Sequence, residues 1–146
     1  MINMIERITS DLRELAIILR ADYKSEGIEF FTPDDFSQQL AYMNRPSGYM
    51  IQPHVHNPVE RQVLYTKEVL YIKSGQVRVD FYEEDKSYLE SRVLNAGDVI
   101  LLAYGAHGFY MLEDSEIIEV KQGPYVGEAD KTRFDGIESD ELNPSF

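Results

Sequence analysis

Three histidines, a glutamate and a set of glycines carry the chemistry this chain could do. His54 and His56 form an H-x-H pair in Gly48-Tyr-Met-Ile-Gln-Pro-His54-Val-His56, and His107 closes Gly97-Asp-Val-Ile-Leu-Leu-Ala-Tyr-Gly105-Ala-His107. Between them lies Glu68-Val-Leu-Tyr-Ile-Lys-Ser-Gly75. Side chains at i and i+2 of a strand share a face, so the pair presents two imidazoles to one side. A carboxylate and a third imidazole from neighbouring strands would complete a three-nitrogen, one-oxygen set with open positions. Such a set suits one divalent ion, Fe, Mn, Ni or Zn, without choosing among them. Each histidine alone also reads as an ordinary surface or core residue. Glu60, three residues beyond His56, competes with Glu68 for the carboxylate slot, although only Glu68 lies within a strand pattern.

Strand parity extends the site. Gln52 shares a face with His54, and Phe109 and Met111 share one with His107, giving Gln52, Lys121, Phe109 and Met111 as candidate substrate-binding residues. Leu70 and Ile72 share the parity of Glu68 and form an apolar wall, so a small-molecule ligand is the expected partner. Glu119 and Lys121 fall on one face of the last strand. Glu119 as a base and Lys121 as a holder of an anionic group are the catalytic candidates, and a solvent-facing ion pair explains them equally well. The tyrosines near the motifs, such as Tyr65 and Tyr104, read mainly as packing residues.

The elements that must position these residues are short strands joined by Gly, Pro, Asn and Asp turns. Residues 7–24 read as a short helix capped at Thr9-Ser10-Asp11 and running through Leu12, or as an N-terminal strand. Strands are expected at 27–32, 39–43, 49–56, 67–73, 76–82, 88–93, 99–102, 109–112 and 117–122, with 67–73 and 76–82 forming a hairpin through Ser74-Gly75. This pattern predicts an all-β antiparallel sandwich or barrel with little helix. The organisation expected is one domain: N-terminal elements over 1–47, a core over 48–123, and a polar extension over 124–146 that folds over a mouth of the core or onto a partner.

The chain has 146 residues and no cysteine, which excludes disulfides, thiolate metal sites and a cysteine nucleophile. A net charge of −12, from 14 Lys+Arg against 26 Asp+Glu, argues against nucleic acid and anionic membranes as partners. Met1–Ser10 lacks an apolar core and Leu15–Leu19 is too short for a signal or a span, so a cytoplasmic location is expected.

The residues from Gly48 to about 110 resemble the cupin superfamily. Gly48, His54, His56, Glu68 and Gly75 match the slots of its first motif, and Gly97 and Gly105 keep the spacing of its second. The chain departs in three places. Eleven residues separate His56 from Glu68, where the family has three or four, which implies an inserted loop over 57–66. Ala103 replaces a proline. His107 comes one residue early, with Met111 where the family has an asparagine. The resemblance implies a cupin jelly-roll (double-stranded β-helix) barrel with His54, His56, Glu68 and His107 as metal ligands, in a chain that pairs as a homodimer. Residues 14–43 are candidates for that pairing. It implies a metal-dependent isomerase or epimerase acting on a sugar or keto acid, as in surface polysaccharide synthesis. An Fe(II) dioxygenase and a non-catalytic ligand-binding cupin are the alternatives.

Overall fold

The computed structural model describes residues 3–11 and 13–143. Ten strands build it: β1 (Ile5–Thr9), β2 (Glu14–Leu19), β3 (Gly27–Phe30), β4 (Ala41–Asn44), β5 (Glu68–Ser74), β6 (Gln76–Tyr82), β7 (Tyr88–Asn95), β8 (Val99–Leu102), β9 (Ala106–Met111) and β10 (Glu116–Lys121). Two 3-10 turns follow at Gly127–Asp130 and Ser139–Glu141.

The strands form three sheets, ordered β1-β2-β8-β5-β10, β7-β6-β9 and β3-β4. Every strand pairing is antiparallel. The five-stranded sheet packs one face on the three-stranded sheet. Leu15, Leu70, Ile72, Val77, Val79, Phe81, Leu94 and Ile100 fill that layer, none more than 4% exposed. On its other face Ile17, Leu101 and Ala103 meet Phe31 and Phe36 from the segment around the β3–β4 hairpin. Strand β2 is therefore covered on both sides, which explains why Leu15-Ala-Ile-Ile-Leu19 is apolar without alternation. Here the capped-helix alternative gives way to a strand; Leu12 lies outside the described residues.

The expectation of a closed cupin barrel is corrected. Both main sheets are open, with β1 and β10 at the edges of one and β7 and β9 at the edges of the other. A barrel closes by pairing its last edges, and among the described residues these edges stay unpaired. The physical reason lies in residues 49–56. The strand expected there does not form, and every residue from 45 to 65 is exposed. Pro46, Pro53 and Pro58 remove three ladder donors from this stretch, which rules out a central strand.

The Ser74-Gly75 turn also differs from expectation. It makes no hairpin: β5 pairs with β8 and β10, while β6 pairs with β7 and β9. The turn instead carries the chain from one sheet to the other. Gly75 adopts φ +87°, and a Cβ there would sit 2.3 Å from the Asp114 carbonyl, so only glycine fits. The true hairpin is β6–β7 across Glu83–Lys86, where Lys86 takes φ 74°.

Candidate functional site

Directly paired residues of antiparallel strands share a face. Glu68 pairs with Leu102 on one side and Lys121 on the other; Leu70 pairs with Glu119, and Ile72 with Ile117. Glu68, Glu119 and Lys121 therefore all sit on the face that packs toward the second sheet. In that sheet His107, Phe109 and Met111 pair with Phe81, Val79 and Val77, which are core residues, so they face inward too. The two faces bring His107 Nε2 to 3.8 Å from Glu68 Oε2. That distance is too long for a hydrogen bond, so both polar groups stay available to a third atom approaching from the side.

Gly105 makes this approach possible. It takes φ +75°, and a Cβ there would lie 2.5 Å from the Tyr82 carbonyl and 2.9 Å from Leu15. The tight turn before β9 delivers His107 to the end of the sandwich, next to the start of β5. The two residues open into a cleft of about 940 Å³, whose walls include Tyr82, Tyr104, Phe109, Lys131 and Phe134. This size suits a small molecule. The C-terminal segment forms one wall. Thr66 Oγ1 donates to Asp130 Oδ1 at 2.6 Å, the Ile137 amide donates to the Tyr82 hydroxyl at 2.9 Å, and the Phe134 ring meets the Tyr82 ring edge-on at 5.1 Å.

The electrostatics of the cleft are unusual. Burial pushes the Glu68 carboxyl up to about 7, reinforced by a hydrogen bond and repulsion from Glu119 and opposed only in part by Lys121 and Lys131. A protonated Glu68 carboxyl is therefore a common species near neutral pH, with Glu119 as its hydrogen-bond partner. Burial pushes the His107 imidazole down to about 4, with Glu119 pulling it up and Lys131 pressing it further down. At neutral pH, His107 and Glu68 are thus not an ion pair. A neutral imidazole stands beside a Glu68 carboxyl that is about half protonated near pH 7.

The other expected site residues lie elsewhere. Gln52, His54 and His56 are all in the exposed 45–65 run. His54 Nδ1 lies 2.9 Å from the Gln52 carbonyl, and the two imidazoles stack edge-on at 5.2 Å. Glu60 is exposed in the same run. The folded chain gathers Glu68 and His107 but not His54 and His56 with them. Among the described residues no group of three or more His, Asp or Glu side chains is placed to hold a metal ion. The cupin-barrel reading, with its isomerase, dioxygenase and ligand-binding branches, is corrected: the sheets are open, and no metal-binding cluster is found among the described residues.

Two contributors escaped the sequence reading. Lys131 sits in a run that reads as ordinary surface charge, and only the C-terminal wrap brings it to the cleft. Lys67 is 4% exposed and points to the opposite face from Glu68, its Nζ 4.4 Å from the Tyr104 ring centre and 5.2 Å from that of Phe36. Burial lowers its pKa, and the aromatic faces offset part of that cost. No local signal marks it, because a lysine at a strand start ordinarily faces water. No protein-family model matches this chain, and neither does any curated protein or solved structure.

Proposed function

We propose that the cleft between β5, β9 and β10 is a proton-transfer site for a small polar molecule. The observation that carries this reading is the convergence of Glu68, Glu119 and His107 from three strands, with Nε2 and Oε2 3.8 Å apart at an opening to solvent. A carboxyl pair holding one proton both donates and accepts without a change in its total charge. The proton on Glu68 goes to a basic atom of the bound molecule, and the Glu119 carboxylate takes one from an acidic atom, or the reverse. Neutral His107 offers a hydrogen bond without competing for the charge. Lys131 supplies positive charge for an anionic group, while Tyr82, Tyr104, Phe109 and Phe134 grip an apolar or planar portion.

The test has two parts. Carboxyl-carbon NMR should show Glu68 titrating near 7, and Glu119→Gln should move that midpoint down because one of its causes is removed. A panel of small carbon acids in D2O should then show protein-dependent deuterium uptake that Glu68→Gln abolishes. Glu68 titrating in the ordinary carboxyl range would overturn the reading.

A further inference from the structure

The sandwich is unfinished on one flank. Among the described residues, strand β9 pairs only with β6, and β10 only with β5, so both sheets end there with unpaired backbone. The residues facing inward along that flank are not covered. Val77 and Val79 are fully buried, yet their cross-strand partners Met111 and Phe109 are 46% and 37% exposed, and Glu119 is open to solvent as well. A core-facing phenylalanine and methionine in water mean that something belongs against them.

The same chain carries an unplaced stretch of matching character. Residues 45–65 are exposed throughout and form no strand. Met50 is 76% exposed, Val55 81% and Leu64 82%, and Tyr49, Ile51 and Val59 are each more than half exposed. A solvated loop of this length is uncommon, and one this apolar is costly unless it is covered. Charge agrees with shape. The stretch carries Arg45 and Arg61 against Glu60 alone, together with two histidines. The flank from 106 to 121 carries Glu113, Asp114, Glu116 and Glu119 against Lys121 alone. In a strongly acidic protein, a basic segment and an acidic flank are complementary.

We propose that a second copy of this chain covers the flank, with residues 49–56 of each copy running antiparallel along the free edge of β9 in the other. Met50 then lies toward Met111, and His54 and His56 lie toward His107, Glu68 and Glu119 of the second copy. Pro53 and Pro58 are compatible with this placement, since an added strand is an edge strand whose missing donors face water. A two-fold axis seats both segments at once, as in isologous pairing by exchange of an identical element. The exposed run together with the edge strands has the extent of a standard interface, about 20–30 residues a side. A monomer leaves both surfaces wet; the dimer covers both and gives each cleft two imidazoles from its neighbour. The pairing stands whether or not the Glu68 cleft moves protons.

Sedimentation of the full chain at tens of micromolar should give twice the mass of one chain. Met50→Asp with Gln52→Asp should halve that mass without unfolding the chain, because both side chains are outside the core and share the face turned toward Met111 and Phe109. The protein has no cysteine, so single thiols report cleanly. Met50→Cys and Met111→Cys proteins, mixed and treated with a short bismaleimide, should give a two-chain product in several-fold excess over either protein alone. The bismaleimide tolerates a slip of one residue pair. A single-chain mass at that concentration overturns the proposal. So does a Met50→Cys/Met111→Cys double variant that crosslinks within one chain at high dilution, which would seat the segment on its own flank.

Discussion

Two clusters of charged side chains lie on this sandwich, and they are built in opposite ways. In the first, Arg20 bridges Glu6 and Asp98, and Arg92 bridges Glu6 and Glu90. Asp98 is 3% exposed but fully partnered: it accepts from the Ala21 amide at 2.8 Å, the Asn95 amide at 2.7 Å and Arg20 Nη1 at 2.9 Å. Burial alone would raise the Glu6 carboxyl, yet Arg20 and Arg92 outweigh it and hold that group below its usual range. In the second cluster, Glu68 meets Glu119 and a neutral imidazole, and among the described residues no guanidinium pairs with it. Residue types are similar; partnering is not. The first cluster ties β1, β2 and the β7–β8 turn together. The second is left with unspent proton affinity, at the one place that opens into a cleft.

Removing a partner from the first cluster should have the largest effect. Asp98→Ala strips three donors of their acceptor and leaves Arg20 with less compensation inside the protein. A loss of about 3–5 kcal/mol is expected, read as a lower denaturation midpoint at pH 7. The corresponding change in the second cluster should go the other way. Glu68→Gln removes a carboxylate that is costly to ionise, so at pH 8–9 the variant should be more stable than the parent by on the order of 2 kcal/mol. If both substitutions destabilise alike, the distinction between the clusters fails.

The pH dependence sharpens the comparison. Glu68 has a raised folded-state value, so its contribution is full below its ordinary 4.5 and is lost as pH rises through about 7. His107 has a depressed one, so its contribution is full above its ordinary 6.5 and is lost as pH falls through about 4. Between about 4.5 and 6.5 the two slopes oppose each other and largely cancel. Difference profiles against the parent separate them. Relative to the parent, His107→Asn should lose stability as pH rises through that window, and Glu68→Gln should gain it. Parallel profiles would mean that neither group is shifted.

What was legible in the sequence follows from the same physics. Val77, Val79 and Phe81 alternate because one face of β6 is buried, and Val99–Leu102 is continuous because β8 lies between two covered faces. Local pattern fixes such strands. It fixes their partners poorly. Ser74-Gly75 reads as a hairpin turn, but the Asp114–Ser115 backbone packed against Gly75 makes it a crossing between sheets. Residues 49–56 carry strand-like alternation with three nearby prolines, and nothing local says whether an edge is available to receive them. Lys131 reaches the cleft only through hydrogen bonds that the far end of the chain makes with Thr66 and Tyr82.

The smallest expected effect tests how the C-terminal wall holds the second cluster in place. The Tyr82 hydroxyl accepts from the Ile137 amide, while its ring packs edge-on against Phe134 at 5.1 Å and against Tyr88 at 5.7 Å. Tyr82→Phe keeps both ring contacts and removes only the acceptor. A cost of about 1 kcal/mol or less is expected, since the Ile137 amide is close enough to the surface to recover a water partner. Amide exchange should separate local from global loosening: faster exchange confined to residues 134–143, with β5 and β6 unchanged, fits a wall fastened to the sandwich at this point. If Glu68 then titrates closer to its ordinary value, water has entered and the wall is what keeps the Glu68 carboxyl dry. An unchanged Glu68 midpoint would assign its burial to Leu70, Leu102 and the strands themselves, and the wall would serve only to shape the opening.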